Sequence, residues 1–432
     1  MEDLPEEVVE KVEVCLLDML ACSLTAGDLP WSRQAVSWVK SLRAAPDATV
    51  IGTNVKTAPS EAAFANAIQA NGLIREDMHT ASASHIGVVV LPTALAVAEA
   101  RHASGRELIT AVVAGYQAMG RVGRVVIDSD NARVFRPTGL LGPIGGALTA
   151  ARLLALDEEA AVNALGLAGN LAAGLNEWAH SGGTDLFFQS GFAARNAVAS
   201  ASLAALGARA SETILDGRAG MIAAFGGAER AGLLGQDLRD DFEILTVYHK
   251  PAPACNYVQT PSQAALDLVT GNPIQPGRID SVEVLTFPAA AAYPGCDFAG
   301  PFTSMIQAKM SIQFSVASVL VRRELGEDNF RQLDDPETGR IAARVRLSID
   351  PEFTAAGPLQ QGAEIRVRLV DGSVLRTRLH DVRPFGPAEV RARFRAAATS
   401  TLGDRKGREI EETLQTLRRL DDVAGLTRLL SR

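Results

Sequence analysis

The sequence predicts a mainly helical protein, with a large all-helical domain and a smaller α+β domain. Apolar residues recur at three-to-four spacing from the start to about residue 235, which is typical of amphipathic helices. Beyond residue 248 several segments alternate with period two, and Asp371-Gly372 is a strong hairpin turn. Hydrophobic residues make up 47% of the 432 residues but aromatic residues only 5%, so small aliphatic side chains must form the core. Such a core favours closely packed helices over a β-sandwich.

Residues 1–247 carry the signs of consecutive helices. In residues 91–122, Pro92 suits a first helical turn, and Ser104 with Glu107 gives the S-x-x-E pattern of a capping box for the next helix. Residues 137–175 continue with helical spacing and many glycines, which let neighbouring helices approach closely. We therefore predict an all-helical domain over residues 1–247.

A second, α+β domain is predicted over residues 248–385. The two prolines of HKPAPAC preclude a regular helix near its start. Period-two alternation predicts strands in SVEVLTF, IAARVRLSID and AEIRVRLVDGSVLRTRLHDV. The segment SMIQAKMSIQFSVASVLVRREL, which lies between the first two of these, predicts one long helix. Residues 386–432 are helical again and most simply pack back on the first domain.

Charge and cysteine content narrow the classes of function. The net charge of −8 argues against nucleic acid or an anionic membrane surface as the main partner. The first twenty residues are acidic and amphipathic, unlike a targeting peptide, and the longest stretch of low charge is broken by Asn and Gly. We therefore expect a cytoplasmic protein without a membrane span. The four cysteines have no zinc-type spacing and predict reduced thiols.

Residues 76–85, EDMHTASASH, concentrate titratable side chains in a largely aliphatic chain. His79 and His85 are six residues apart, which does not place them on one helical face, and no Cys or further His lies nearby, so no metal site is predicted. Imidazole titrates near neutrality, and a carboxylate such as Asp77 can fix its tautomer, which suits acid–base chemistry. The alternative is a polar turn in which Asp77 or Ser82 caps a helix and His85 bonds to backbone.

Two further segments contain cationic candidates. Lys250 precedes a stiff Pro-x-Pro segment, and a held ammonium can bind a carboxylate or stabilise an enolate-like anion. The alternative for Lys250 is a surface lysine at a domain junction. Arg136 and Thr138 precede a Gly-rich helix start whose N–H groups could bind an anion. The segment lacks the Lys-Ser/Thr of a P-loop, which argues against nucleotide binding, and close helix packing is the alternative.

Five segments, taken together and in order, resemble motifs of the MmgE/PrpD superfamily, which includes 2-methylcitrate dehydratase, cis-aconitate decarboxylase and iminodisuccinate epimerase. The segments are REDMHTASASHIGVVVLPTALAVAEA, VFRPTGLLGPIGGALTAARLLALD, GFAARNAVASASLAALG, HKPAPAC and AKMSIQFSVASVL. The resemblance covers nearly the whole chain. It implies a large helical domain, a smaller α+β lid domain, an active site in the cleft between them and a homodimer.

The resemblance also assigns residues, some matching the family and some departing from it. The positions matching catalytic residues are Asp77, His79, His85 and Lys250. Beside these, Ser82, Arg136, Thr138 and Gln189 are expected to bind substrate. Family residues are replaced by Glu76 for Asp, Ile86 for Pro, Arg136 for His, Leu186 for Lys, Gln189 for His and Phe314 for Tyr. The site has thereby lost cationic or titrating groups, so tricarboxylates such as 2-methylcitrate or cis-aconitate are expected to match it less well.

The sequence therefore predicts a cofactor-independent carbon–oxygen lyase, similar to a dehydratase, acting on a small organic acid. His79 or His85 would abstract a proton next to a carboxylate, Asp77 would orient the histidine, and Lys250 with Arg136 would hold the substrate carboxylate. One alternative is an isomerase or epimerase, which needs no leaving group. Another is a non-catalytic binding protein of the same fold.

Overall fold

A computed structural model of the chain describes residues 4–238 and 240–432. The helices are α1 (Glu6–Ala26), α2 (Pro30–Ser41), α3 (Pro59–Asn71), α4 (Gly87–Ala100), α5 (Gly105–Val126), α6 (Asn131–Val134), α7 (Pro137–Leu153), α8 (Glu158–Gly169), α9 (Trp178–Ser181), α10 (Asp185–Ala205), α11 (Met221–Phe225), α12 (Gln259–Gly271), α13 (Pro288–Ala292), α14 (Met305–Met310), α15 (Ile312–Arg322), α16 (Pro336–Ala342), α17 (Pro351–Ala356), α18 (Pro387–Leu402), α19 (Asp404–Gln415) and α20 (Ala424–Leu429). The strands are β1 (Ala48–Thr49), β2 (Lys56–Thr57), β3 (Asp77–Met78), β4 (Tyr248–His249), β5 (Ile279–Thr286), β6 (Val345–Ile349), β7 (Ala363–Leu369) and β8 (Val374–Leu379). This content confirms the predicted fold class.

The chain divides into two compact units. The helical unit comprises the residues up to Leu175, Asp185–His249 and Gly386–Arg432. The α+β unit comprises Asn176–Thr184 and Lys250–Phe385. The predicted boundaries leave residues 176–184 in the helical domain, whereas in the structure this segment packs with the α+β unit. The C-terminal helices belong to the helical unit, and α18 packs against α1.

Glycines set the spacing of the central helices of the helical unit, where α7 packs against both α5 and α10. A Cβ atom added at Gly115 on α5 would lie 2.0 Å from Thr149 Oγ1 on α7, and one added at Gly146 on α7 would lie 2.6 Å from Ala197 Cβ on α10. Both distances are shorter than any van der Waals contact, so no larger residue fits at either crossing. The close approach predicted from the glycines is thus present.

One predicted helix start agrees with the structure and another does not. Ser104 and Glu107 form the predicted capping box at the start of α5. Pro92 lies inside α4 rather than in its first turn, because α4 already begins at Gly87, whose N–H donates to the Asp77 carboxylate at 3.0 Å. The prediction that Pro92 lies in a first helical turn is therefore wrong. The helix starts earlier because the carboxylate of Asp77, ten residues before Gly87, caps its first turn.

A buried ionic cluster joins α1 to α18 and β4. Asp18 on α1 is 1% exposed, and its carboxylate accepts hydrogen bonds from Arg393 on α18 and from His249 Nδ1, the latter at 2.8 Å. Lys11 Nζ lies 3.1 Å from His249 Nε2 and donates to Val247 O at 2.9 Å. Because an ammonium only donates, Nε2 of His249 must be the acceptor and Nδ1 must carry the hydrogen.

The α+β unit contains a mixed four-stranded sheet in the order β6-β5-β7-β8. β5 pairs in parallel with β6 and antiparallel with β7, and the β7–β8 hairpin turns at Gly372, where φ is +85°. The predicted single long helix is wrong, since Ser311 interrupts it and its Oγ accepts the Phe314 N–H at 2.9 Å, which starts α15. Similarly, the predicted strand IAARVRLSID begins only at Val345, after α16 ends at Ala342.

Asp18→Asn is expected to destabilise the protein, and to do so less in acid. Burial raises the pKa of Asp18, but the charge of Arg393 and the hydrogen bond from His249 outweigh it and lower the pKa from 3.8 to about 2. A carboxyl whose pKa is lower in the folded than in the unfolded state stabilises the protein above its unfolded pKa, and this contribution is lost as the pH falls through the folded pKa. The shift corresponds to about 2 kcal/mol.

Urea denaturation of both proteins from neutral pH down to about pH 2 measures the effect. The difference between Asp18→Asn and wild type should be constant above about pH 4 and shrink below it. Asp47→Asn removes an exposed carboxylate from the same unit and serves as the control. A loss that is equal at every pH, or equal in the two variants, would contradict this prediction.

Candidate active site

The polar segment 76–85 is a closed loop between a strand and a helix. β3 pairs antiparallel with β4, so that Asp77 lies opposite His249. The loop then closes on itself, with His79 N donating to Ser84 O at 2.9 Å and Ser84 N donating to His79 O at 3.3 Å. α4 follows at Gly87. The loop therefore has fixed ends and an internal ladder, which hold its side chains in place.

The carboxylate of Asp77 caps α4. It accepts a hydrogen bond from Tyr116 Oη at 2.6 Å and one from Gly87 N at 3.0 Å, and the residue is 4% exposed. Burial raises the pKa of Asp77. The backbone carbonyl of Asp77 lies 2.9 Å from Nδ1 of His85. The carboxylate of Asp77 thus caps α4, and it is the backbone carbonyl of Asp77 that orients His85.

His79 lies within a fully buried hydrogen-bond network. Its Nδ1 is 2.7 Å from Ser82 Oγ, and its Nε2 is 2.8 Å from Glu243 Oε2. Ser82 Oγ also contacts Ser84 Oγ at 2.6 Å. Burial raises the pKa of Glu243, but the hydrogen bond and charge of His79 and the charge of Arg124 outweigh it, so the pKa is lowered overall. Both ring nitrogens of His79 are therefore used inside the protein.

His85 is placed differently from His79. Its Nδ1 lies 2.9 Å from Asp77 O and 3.6 Å from Glu76 Oε1, and its side chain is 13% exposed. A carbonyl oxygen only accepts, so Nδ1 must carry the hydrogen, and Nε2 of the neutral ring then carries the lone pair. The backbone N–H of His85 donates to Thr138 Oγ1 at 3.0 Å. The tautomer and the ring position of His85 are thus both fixed.

Asn71 connects the carboxylate of Glu76 with the guanidinium of Arg136. With its amide nitrogen 2.9 Å from Glu76 Oε1, the amide oxygen accepts from Arg136 Nη2 at 3.1 Å and from Ser190 Oγ at 3.2 Å. Only this orientation of the amide satisfies all three neighbours. Arg136 is 5% exposed and precedes α7, where its backbone N–H donates to Gly174 O at 3.1 Å. The Glu76 carboxylate and the Arg136 guanidinium, which carry opposite charges, are therefore held within one buried cluster.

Three further residues singled out in the sequence are Leu186, Gln189 and Lys250. Gln189 Nε2 donates to Leu175 O at 2.9 Å. Leu186 is buried, and the neighbouring Phe187 stacks on Trp31 with 4.1 Å between ring centroids, so both belong to the core of the helical unit. Lys250 belongs to the α+β unit, is fully buried and donates from Nζ to Ala254 O at 3.4 Å.

The helical unit therefore brings four residues together with His85: Asn71, Glu76, Arg136 and Thr138. Asp77, His79 and Ser82 support this group from the same loop. Sequence reasoning missed Asn71 and Glu243, because an isolated Asn or Glu in a helical region has no pattern that marks it. Within residues 4–238 and 240–432, no group of three or more His, Cys, Asp or Glu is placed to hold a metal ion. In the same ranges, no helix has the length and apolar character needed to cross a membrane.

The chain belongs to the MmgE/PrpD family. The MmgE/PrpD N-terminal domain matches residues 1–233, and the MmgE/PrpD C-terminal domain matches residues 252–419. These matches confirm the resemblance seen in the five motifs. They also cover both units of the structure.

Curated relatives match over almost the full chain. A cis-aconitate decarboxylase of Aspergillus terreus is 28% identical and covers 100% of this chain and 93% of its own length. A cis-aconitate decarboxylase-like protein of Aspergillus oryzae is 25% identical, covering 99% and 94%. The cis-aconitate decarboxylase of Homo sapiens is 24% identical, covering 99% and 91%.

Gly87→Ala is expected to disrupt the cap of α4. A Cβ atom at residue 87 would lie 2.7 Å from Tyr116 Oη and 2.8 Å from Asp77 Oδ1. The Tyr116 hydroxyl and the Asp77 carboxylate would therefore have to move away from residue 87. We expect a loss of about 1–3 kcal/mol in the free energy of unfolding, measured by urea denaturation. Gly235→Ala in the same unit is the matched control, because a Cβ atom there meets nothing within 4 Å. Equal stability of the two variants would show that the cap tolerates the methyl group.

Proposed function

We propose that this protein is a lyase that acts on a small carboxylic acid, and that His85 transfers the proton on the carbon next to a substrate carboxylate. The observation that carries the proposal is the fixed tautomer of His85, with Nδ1–H directed at Asp77 O. A neutral imidazole with its lone pair on Nε2 can accept a proton near neutral pH. Membership of the MmgE/PrpD family supports chemistry on a small organic acid.

Glu76 is proposed as the positioning residue for His85. When Nε2 takes a proton the ring becomes positive, and the Glu76 carboxylate 3.6 Å from Nδ1 then stabilises this charge. Asn71 holds the carboxylate in place. His79 is proposed as a structural residue, since its contacts with Ser82 and Glu243 occupy both ring nitrogens.

Arg136 is proposed to bind a substrate carboxylate. Its guanidinium remains charged at all relevant pH values, and it directly precedes α7, whose dipole adds positive partial charge at this end. Thr138, in the first turn of α7, contacts the backbone of His85 and links the anion-binding end to the proton-transfer residue. We keep Lys250 as a catalytic candidate on the resemblance of HKPAPAC to the family motif.

Proton transfer by His85 is compatible with two reactions, which differ in their leaving group. In an elimination, His85 removes the proton and a hydroxyl departs with the C–O bonding electrons, as the sequence predicts. In a decarboxylation, the C–C bond breaks, CO₂ departs, and the carbon that keeps the electrons takes a proton from Nε2 of a His85 ring that is protonated beforehand. The names of the relatives favour the second reaction. Positions 186 and 189 are uncharged here, so we propose a substrate with fewer carboxylates than the three of cis-aconitate.

We also propose a homodimer, on the family resemblance, and a cytoplasmic location; sizing chromatography tests the dimer. An isomerase or epimerase is the alternative reaction, and incubation in heavy water distinguishes it. Deuterium that enters the substrate without release of water or CO₂ would favour that alternative.

His85→Ala is expected to lower turnover by about 10²–10⁴-fold, because proton transfer by a positioned side chain contributes a factor of this size. The substrates are a panel of hydroxylated and unsaturated mono-, di- and tricarboxylates, followed by NMR in heavy water with CO₂ detection. The control is His102→Ala, which removes a histidine whose side chain is 74% exposed. Full turnover by His85→Ala, or no turnover of any panel member by wild type, would refute the assignment.

Arg136→Gln is expected to raise KM for the best substrate by about 10–150-fold, because a hydrogen bond to a charged group contributes about 1.5–3 kcal/mol. The effect should grow with the number of substrate carboxylates. Thermal melting of the variant shows whether the cluster with Asn71 still folds. An unchanged KM in a folded variant would exclude Arg136 from carboxylate binding.

A further inference from the structure

Two buried thiols face each other in the α+β unit. Cys255 and Cys296 are 5% and 0% exposed, and their sulfur atoms are 3.7 Å apart. A disulfide bond is about 2.05 Å long, so the sulfurs need to approach by less than 2 Å to bond. Forty-one positions separate the two residues, and no local sequence pattern pairs them.

The backbone fixes both cysteines on either side of this gap. Cys255 N donates to Lys309 O at 2.9 Å, and Cys255 O accepts from Gln259 Nε2 at 3.1 Å. Cys296 N donates to Tyr293 O, and Cys296 O accepts from Ile312 N, both at 3.0 Å. These hydrogen bonds hold the two thiols opposite each other, so closing the gap needs rotation of the side chains and a small shift of the Cys255 backbone.

We propose that Cys255 and Cys296 form a reversible oxidation site whose oxidant is hydrogen peroxide or another small hydroperoxide. Both thiols are buried, which favours a small oxidant over a bulky disulfide such as that of glutathione. The site is separate from the cluster around His85 and Arg136, which lies in the helical unit.

The chemical environment assigns different roles to the two thiols. Either sulfur can donate in this contact, and a hydrogen bond from Cys296 to Cys255 Sγ, together with the backbone N–H of Tyr257 and the nearby charge of Lys250, lowers the pKa of Cys255 in spite of burial. Burial raises the pKa of Cys296. Cys255 is therefore the attacking thiolate and Cys296 the resolving thiol. Cys15 differs from Cys255, because burial raises its pKa to about 12.

The reaction balances with peroxide as the only co-reactant. The Cys255 thiolate attacks one peroxide oxygen, the O–O bond breaks, and the other oxygen leaves as water after taking a proton, which gives a sulfenic acid. Cys296 then attacks the sulfur of Cys255, the S–O bond breaks, and a second water leaves. Two thiols and one hydrogen peroxide thus give one disulfide and two waters. A dithiol reductant reverses the change by thiol–disulfide exchange.

Oxidation would also disturb Lys250. Its Nζ donates to the carbonyl of Ala254, the residue just before Cys255, and movement of Cys255 towards Cys296 would displace this acceptor. The expected loss of turnover rests on the proposed function of Lys250. Formation of the disulfide does not.

The chemical test uses the full-length protein at neutral pH. Hydrogen peroxide is added, the remaining thiols are alkylated after denaturation, and peptides are identified by mass spectrometry. We expect a Cys255–Cys296 cross-linked peptide that dithiothreitol removes, while Cys15 and Cys22 are alkylated in full. Cys296→Ser should stop at a sulfenic acid on Cys255, trapped by dimedone, and Cys255→Ser should leave Cys296 unreacted. Equal oxidation of all four cysteines, or a cross-link only after unfolding, would overturn the proposal.

The activity test uses the panel substrate that is turned over best. The oxidised wild type should lose about tenfold or more of its turnover and regain it with dithiothreitol, since small displacements of a functional group have effects of this size. Cys296→Ser should keep the turnover of the reduced protein and yield no cross-link with peroxide. A cross-link without loss of turnover would disprove the link to Lys250. If no panel acid is turned over, the proposed function fails, while the cross-link result still decides the oxidation site.

Discussion

The buried carboxylate of Asp77 is the interaction on which the candidate site depends. A charge in the protein interior is costly unless it is hydrogen-bonded, and Tyr116 and Gly87 supply the donors. Because Gly87 has no side chain, α4 can begin directly at the carboxylate. The backbone of the same residue pairs with His249 and accepts from His85. One residue thereby fixes a strand, a helix start and the ring of the proposed base.

Two buried networks hold the elements that meet at Asp77. Asp18 and Lys11 bind opposite nitrogens of His249, which fixes β4 against β3. Glu243 and Ser82 bind opposite nitrogens of His79, which fixes the loop from its other side. Removal of one partner from such a network leaves a buried polar group unsatisfied. Two of the chain's six histidines, His79 and His249, therefore have a structural explanation. Of the two histidines in the loop, His85 is the one proposed to transfer a proton.

The sequence predicted what depends on local pattern and missed what depends on pairing across the chain. Helical spacing, the Ser104 capping box and the Asp371-Gly372 turn are local signals, and the structure contains all three. Glu76 and Asp77 are adjacent acids, and the sequence alone does not show that the Glu76 carboxylate lies 3.6 Å from His85 Nδ1 while that of Asp77 caps α4. Glu243 reaches His79 over 164 positions, so no spacing rule could have found it.

The charge around His85 limits the substrates that the helical unit can accept. Arg136 is a permanent cation, but Glu76 lies in the same hydrogen-bonded chain and offsets it through Asn71. On α10, Leu186 is buried in the core, and Gln189 donates to a backbone carbonyl. In the proposed site a substrate carboxylate would meet the partly neutralised guanidinium of Arg136, and positions 186 and 189 offer no charge to a further carboxylate, which would lose water on binding. These electrostatics are the basis for proposing a substrate with few charges, which one carboxylate would hold while an adjacent carbon exchanges its proton with His85.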